Sequence, residues 1–343
     1  IKKYFQIKWG KFMKKYNVLI TGGLGLIGTH VAKNFANDKN VKKIICLDHF
    51  GKYINPIKKD IKDFRSMRSE YIGKKLIIER GESKFTSVIN NILLKYKPKI
   101  VIHLAALPLA KLDNLNVEEA LEGSVQSTSN IIESIANLKK NLNYNFSRFV
   151  YASSSMVYGD FKTNIIDENH PTNPKEIYGS AKLAGEILTK GLCKFYNIDF
   201  SIVRPSAVYG PTDMNRRVSQ IFIENAFTEK LIEIEGKNEK LDFTYIEDLA
   251  KGCVLAGTKK KGINQIFNIT YGKAQTLYSF VVNLKRMFPN LKFKIKQRDI
   301  TKPSRGTLSI NKAKKLLNFR PKYSLKIGIK KYVKYLIDNN IYR

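Results

Sequence analysis

From Asn17 onward the chain alternates short apolar, β-branched runs with stretches in which apolar residues return every three or four positions. The runs fit buried strands, and the stretches fit helices with one apolar face. The pattern predicts strands over Asn17–Thr21, Lys43–Leu47, Leu76–Glu79, Ile100–Leu104, Arg148–Ser153, Asp199–Arg204 and Gln265–Ile269. Helices are predicted between them, over Gly25–Asp38, Phe85–Lys95, Leu121–Leu138 and Tyr178–Tyr196. Such an alternation folds as a doubly wound α/β unit, a parallel sheet with helices on both faces. After Pro205 the rhythm loosens, and segments Arg216–Glu229 and Leu277–Phe288 are expected to build a smaller C-terminal lobe over the carboxyl edge of the sheet. Ligands of open α/β sheets bind at that edge. No internal repeat or low-complexity linker divides the chain. The expected partition is a basic extension over 1–15, a sheet domain over 16–204 and 242–270, and a ligand-covering lobe over 205–241 and 271–343.

With 343 residues, 43% of them hydrophobic, the chain can bury a large core. No apolar run approaches the ~18 residues of a membrane span. The basic, aromatic stretch Ile1–Lys15 lacks the continuous apolar segment of a secretion signal, and Met13 reads as a start position because a strand follows almost at once. Cys46, Cys193 and Cys253 stand far apart without metal-ligand spacing, so they read as structural thiols of a reducing, cytoplasmic compartment, and no metal site is expected. The formal net charge of +32 would suit a nucleic acid, an anionic membrane surface or an anionic small substrate. The lysines, however, are scattered through a chain also rich in Asn and Ile, as a genome-wide lysine bias would leave them. Whatever its origin, such a field attracts a doubly charged nucleotide diphosphate.

Thr21-Gly22-Gly23-Leu24-Gly25-Leu26-Ile27-Gly28 follows the first strand and opens the first helix, the context that turns a glycine pattern into a dinucleotide-binding fingerprint. Glycine lets the backbone turn tightly and approach a pyrophosphate, while the helix N-terminus at Leu26 and Ile27 supplies amides and a positive dipole. Asp48 ends the second strand about 20 residues past the last glycine, where a carboxylate accepts from ribose hydroxyls and repels a 2′-phosphate. NAD is therefore expected over NADP, although His49 and Lys52 follow closely. Glu82, after the third strand, reads equally as an acceptor for the adenine amino group or as a surface residue. In His103-Leu104-Ala105-Ala106 the two alanines are small enough for a strand to pass close to a cofactor, and His103 reads as a packed strand-end residue.

Tyr178-Gly179-Ser180-Ala181-Lys182 opens a helix, so Tyr178 and Lys182 lie one turn apart on one face. Ionising a tyrosine of pKa ~10 at pH 7 costs about 4 kcal/mol, and a neighbouring ammonium favours the phenolate. A tyrosine so placed becomes a general base. Upstream, Ser153-Ser154-Ser155-Met156-Val157-Tyr158-Gly159 ends another strand and delivers hydroxyls to the same sheet edge.

On these residues, together with Arg204-Pro205, Val208-Tyr209-Gly210-Pro211 and Asp242-Phe243-Thr244-Tyr245-Ile246, the chain resembles the extended short-chain dehydrogenase/reductases that act as NAD-dependent epimerases and dehydratases on nucleotide sugars. The resemblance runs from Lys15 to about Val333. It implies a Rossmann sheet with a C-terminal substrate-binding lobe. It implies Tyr178 as the base at a sugar hydroxyl, Lys182 on the nicotinamide ribose lowering the tyrosine pKa, and Ser154 as the family's Ser/Thr position. Gly22, Gly25, Gly28, Leu104, Ala105, Ala106 and Pro205 would lie along NAD, with hydride leaving the sugar carbon and returning to its other face. The helices over Leu121–Leu138 and Tyr178–Tyr196 would form a homodimer interface, as in relatives.

Departures from the family pattern narrow the branch. Related 4,6-dehydratases carry an Asp-Glu pair where this chain has Ser155 and Met156, and a thioether exchanges no proton. The decarboxylases, with Glu at the second place, fall by the same argument. Glucuronate epimerases grip the uronate with small hydroxyl residues here and a Thr at the place of Ala207, so Met156 and Ala207 argue against a uronate. Leu241 stands where relatives place a diphosphate-binding arginine, which leaves Arg216, Arg217 or Arg305 to supply that charge or simply to face solvent. The expected activity is epimerisation of a nucleotide-diphosphate sugar, at C4. A dehydrogenase, reductase or 4,6-dehydratase of the same family, or a nucleic-acid-binding relative that has lost catalysis, are the rivals. The intact Tyr178, Lys182, Ser154 and glycines oppose the last.

Overall fold

Seven strands, Tyr16–Thr21 (β1), Val41–Asp48 (β2), Leu76–Arg80 (β3), Ile100–His103 (β4), Arg148–Ala152 (β5), Phe200–Arg204 (β6) and Gln265–Asn268 (β7), form one sheet in the computed structural model. The structure describes residues 15–50, 67–68, 72–106, 117–215 and 217–342. Met13, with nearly all of the basic extension, and Lys52 lie outside the described residues. All neighbouring strands pair in parallel, in the order β7-β6-β5-β4-β1-β2-β3. The chain winds outward from β1 to β3 and then returns to β4 on the other side. The crevice beyond the carboxyl ends of β1 and β4 is therefore the switch point at which such sheets take ligands.

Alternation along each strand sends successive side chains to opposite faces. Val18 and Ile20 of β1 join a cluster with Val31 and Phe35 of Leu26–Ala36 (α1). Leu19 points the other way, into a cluster with Ile89 of Thr86–Tyr96 (α2), Ile131 of Ser127–Leu142 (α3) and Cys193 of Ile177–Phe195 (α4). Burying a Leu or Ile side chain stabilises by roughly 1.5–3 kcal/mol, and these strands are apolar on both faces because both are covered. The doubly wound expectation holds, and the strand bounds agree with the expected ones to within two residues.

One helix departs from expectation. Instead of running over Leu121–Leu138, the chain forms a short helix at Val117–Leu121, a wide π turn at Glu122–Gln126, and then α3. At this turn α4 approaches so closely that a Cβ on Gly185 would lie 2.6 Å from the Ser124 carbonyl oxygen. A π turn absorbs one extra residue within a helix, and here it lets the backbone yield to that approach.

Beyond β6, Val218–Phe227 (α5), Ile246–Thr258 (α6) and Leu277–Lys285 (α7) are joined by two-stranded pairings such as Ile232–Glu235 with Phe293–Lys296. This part is not walled off, because the cluster that holds Val18 also holds Ala250 of α6, Phe280 of α7 and Leu336. Cys46, Cys193 and Cys253 are buried free thiols on β2, α4 and α6. Among the described residues no helix is long and apolar enough to cross a membrane.

Candidate active site

A cleft of about 1460 Å³ opens at the carboxyl edge of the sheet, lined by the glycine turn and by Tyr178. The turn hangs from β2, the amides of Gly22 and Gly23 donating to the Leu47 carbonyl at 2.8 and 3.2 Å. Gly22 has φ +65°, and a Cβ there would meet the Ala105 nitrogen at 3.0 Å. A Cβ on Gly28 would collide with the Gly22 carbonyl oxygen and lie 2.8 Å from the Gly23 Cα. Only glycine satisfies both positions. Gly25 caps α1 without a side-chain hydrogen bond, so no capping side chain meets the first-turn amides at Leu26 and Ile27. Helix-start amides of this kind bind phosphate.

Asp48 stands at the end of β2, its Oδ2 accepting from the Leu24 amide and its Oδ1 from the Phe50 amide, both at 3.0 Å. Burial pushes its carboxyl up, but His49 and those two amides outweigh burial and hold it below the usual carboxylate range. It is thus an anion at neutral pH, fixed in orientation on the cleft wall. Glu82 also lines the cleft and is ion-paired to Lys84 at 3.3 Å. The Leu104 amide donates to the Thr21 carbonyl and the Ala105 amide to Thr21 Oγ1, which draws this strand end against the glycine turn. His103 is the packed residue expected, bonded to Thr21 and Ser127 and pushed down to about 3 by burial and by Lys182. A glycine cradle without room for a Cβ, first-turn helix amides and a fixed carboxylate together fit a dinucleotide with free ribose hydroxyls.

At the chemistry end, α4 carries Tyr178 and Lys182 on one face, with the Lys182 Nζ 5.9 Å from the centre of the Tyr178 ring. That nitrogen donates to the Ala152 carbonyl at the end of β5 at 2.9 Å. Burial pushes Lys182 down to about 7, against the opposing charge of Glu186. Tyr178 is pushed up to about 12 by burial; the Arg217 guanidinium and a hydrogen bond with Ser154 oppose the rise, and Glu176 adds to it. Arg217 thus joins Lys182 as a second cation near the Tyr178 ring. Arg217 stands just before α5 and is held by Asp213 at 3.2 Å. Ser154 is extended and caps the turn Ser155–Tyr158, its Oγ accepting from the Met156 amide at 3.1 Å.

The expected site residues come together from across the sequence. Gly22, Gly25, Leu26, Ile27, Gly28, Asp48 and Glu82 line the cleft together with Leu104, Ala105, Ala106, Ser154 and Ser155. So do Met156, Tyr178, Lys182, Pro205, Ala207, Arg217 and Arg305. Arg216 lies outside the described residues. Ala207 takes the left-handed conformation, φ +40°, which costs a residue with a Cβ roughly 1–2 kcal/mol. Sequence leaves Arg305 open between a diphosphate contact and solvent; in the structure its Nη2 lies against the Met156 Sδ, two residues beyond Ser154.

Three further groups stand outside the sequence reading. Glu176, the residue before α4, lines the cleft with both carboxylate oxygens buried and without a hydrogen bond. Arg298 lines it too, ion-paired to Glu239 at 2.9 Å. Glu186, one turn past Lys182, is fully buried and takes Arg204 of β6 through both oxygens, at 2.8 and 2.6 Å. Its one signal in the sequence is that it continues the Tyr178–Lys182 spacing by a further four residues.

The model of the NAD dependent epimerase/dehydratase family matches residues 18–270. A putative UDP-glucose 4-epimerase of Methanocaldococcus jannaschii is 30% identical over 342 residues, covering 94% of this chain and 99% of that protein. UDP-glucuronate 4-epimerase 1 of Arabidopsis thaliana is 27% identical over 346 residues, covering 94% of this chain and 77% of that protein. Among solved structures, the UDP-glucuronic acid 4-epimerase of Bacillus cereus, in complex with UDP-glucuronic acid and NAD, superposes with a TM-score of 0.82 at 24% identity, over 94% of this chain and 99% of that one. That likeness speaks for a common fold.

Proposed function

The chain belongs to the NAD-dependent epimerase/dehydratase family, and from that premise we propose that it epimerises a nucleotide-diphosphate sugar at C4 through Tyr178, Ser154 and Lys182. The observation that carries the reading is the convergence on one cleft of the glycine turn, Asp48, Ser154, Tyr178 and Lys182, which come from the ends of β1, β2 and β5 and from α4. The 4-epimerase names of the relatives support the carbon assigned. The cradle of Gly22, Gly25 and Gly28 with the amides of Leu26 and Ile27 holds the pyrophosphate of NAD, and Asp48 its adenosine ribose. Bound NAD supplies a hydride acceptor that returns the hydride to the same carbon.

Tyr178 Oη takes the proton of the sugar hydroxyl and later gives it back. Ser154 Oγ accepts from the Met156 amide and is hydrogen-bonded with Tyr178, and when a sugar enters, its hydroxyl turns to donate to the reacting oxygen beside the tyrosine. Arg217 offsets part of the cost of the phenolate, which burial has raised, and Lys182 adds to that whenever it carries its proton. Ser155 and Met156 offer no acid for a leaving hydroxyl, so the keto sugar turns over within the cleft and is not dehydrated. Pairing of two chains through α3 and α4 is part of the same reading, supported by the exposed Leu121 shortly before α3 and the exposed Ile187 on α4. The three buried free thiols suit a reducing cytoplasm.

The test is to incubate the protein with UDP-, GDP- and dTDP-sugars and follow the epimer ratio by NMR. Interconversion is expected for at least one sugar, and Tyr178→Phe should slow it roughly 10²–10⁴-fold with NAD retained. A variant as fast as the parent would overturn the assignment of the base.

A further inference from the structure

At the sugar end of the cleft a buried carboxylate and a half-buried guanidinium stand without an ion pair between them. Glu176 lies two residues before Tyr178, and neither of its buried carboxylate oxygens has a hydrogen-bond partner among the described residues. A buried, unsatisfied carboxylate is costly, so a folded chain keeps one only where something else relieves it. Arg305 reaches the same end from the C-terminal segment, its guanidinium against the Met156 thioether, which is a poor acceptor. Burial pushes Arg305 down to about 10, and Glu176 is the first of the charges that oppose the fall. Burial likewise raises Glu176, against the pull of the Gly179 amide, of Arg305 and of the Tyr178 amide. Those amides point toward the carboxylate but close no hydrogen bond of good geometry, since α4 starts without a side-chain cap. A Cβ on Gly179 would lie 2.8 Å from the Met156 carbonyl oxygen and 3.0 Å from Glu176 Oε1, so the carboxylate stands beside the residue that Arg305 touches, yet no ion pair within 4 Å joins the two charges among the described residues. Both line the cleft next to the serine turn and the tyrosine helix.

We propose that Glu176 and Arg305 set the sugar specificity of this site: Arg305 donates to an oxygen of the sugar's C5 substituent, and Glu176 is the positioning residue that neutralises it, so that the site takes a neutral hexose in preference to a hexuronate. The proposal rests on the nucleotide-sugar reading above. A lone guanidinium beside Met156 would seek a carboxylate, the natural bidentate partner of arginine. With Glu176 behind it the local charge is already balanced, and a uronate would bring an unmatched anion into a buried place. A hydroxymethyl group can accept from Arg305 and adds no charge.

The test measures affinity of the NAD-loaded protein for UDP-glucose and UDP-glucuronate by calorimetry, alongside epimer turnover. The parent should bind UDP-glucose about tenfold more tightly, the size of one charge-assisted hydrogen bond. Glu176→Gln, nearly isosteric, should bring that ratio to one or below by freeing Arg305 for the uronate. Arg305→Gln should move it the other way, to beyond the parent's preference. Glu176→Asp keeps the charge and should restore the parent's ratio to within about threefold even if overall affinity falls. Opposite shifts of this kind are not produced by a general loss of packing. Ratios that stay put in both variants, or that move in the same direction, overturn the proposal, as does a parent that binds neither compound. A parent that binds UDP-glucose but interconverts no epimers overturns the epimerase reading alone, and the ratios then still decide the role of the pair.

Discussion

The two ends of the cleft are built on opposite principles. Apart from the helix-start amides left open for phosphate, the polar groups at the glycine turn are satisfied by nearby backbone, with Asp48 held by two amides and Gly22, Gly23 and Thr21 stitched to neighbouring strands. Around Tyr178 the charges are withdrawn from water and poorly matched. Lys182 has a carbonyl, Arg305 a thioether, and the Glu176 carboxylate no hydrogen bond. The first end is a rigid receptor for a ligand that stays. The second holds free energy that a substrate can release, as sites tuned to change protonation do. Tight cofactor retention and reactive chemistry need different surroundings, and one cleft supplies both.

If that contrast is real, damage at the glycine end should be severe and local. Gly28→Ala places a Cβ against the Gly22 carbonyl oxygen, and NAD affinity should fall about 100-fold, the upper end of what overpacking costs, while circular dichroism shows the fold kept. An alanine variant that binds NAD as the parent does would remove the cradle from the account of this end. Cofactor content after acid extraction adds a second check, and in the parent it should be NAD(H) with little NADP(H) because Asp48 is ionised. Chiefly NADP(H) would remove the role given to Asp48.

At the other end the effect should be smaller and of opposite sign for stability. Lys182 is pushed down to about 7 from 10.5, so between those values the unfolded chain binds a proton that the folded one does not. Its cost to stability is complete below pH 7 and disappears as pH rises toward 10.5. Lys182→Met should therefore raise Tm by about 3 °C at pH 6 and by almost nothing at pH 10, while turnover is lost. Thermal unfolding across pH checks it, and a variant less stable than the parent at pH 6 would show that the ammonium is well paired after all.

The same contrast explains what can be read from the chain alone. The strands, the glycine turn and Asp48 follow from local pattern, because each glycine answers to backbone only a few residues or one strand away. Tyr178, Lys182 and Ser154 are legible through their spacing and through a family resemblance. Nothing in the sequence brings Glu176 and Arg305 together, since they are separated by most of the C-terminal half and neither belongs to a repeating pattern. Sequence shows the charge of Arg305 but not its neighbour Met156, and so leaves a diphosphate and solvent equally open as its partner. The π turn before α3 escapes for a related reason: the close approach of Gly185 that shapes it is a tertiary contact.

Hydrogen that leaves the sugar carbon should come back to that same carbon before the sugar departs. Letting the protein equilibrate UDP-glucose in D₂O, and reading C4 of both epimers by NMR, tests this step directly. Interconversion is expected with protium kept at C4 and no net NADH at the end. Deuterium at C4, or NADH accumulating in proportion to sugar consumed, would contradict it.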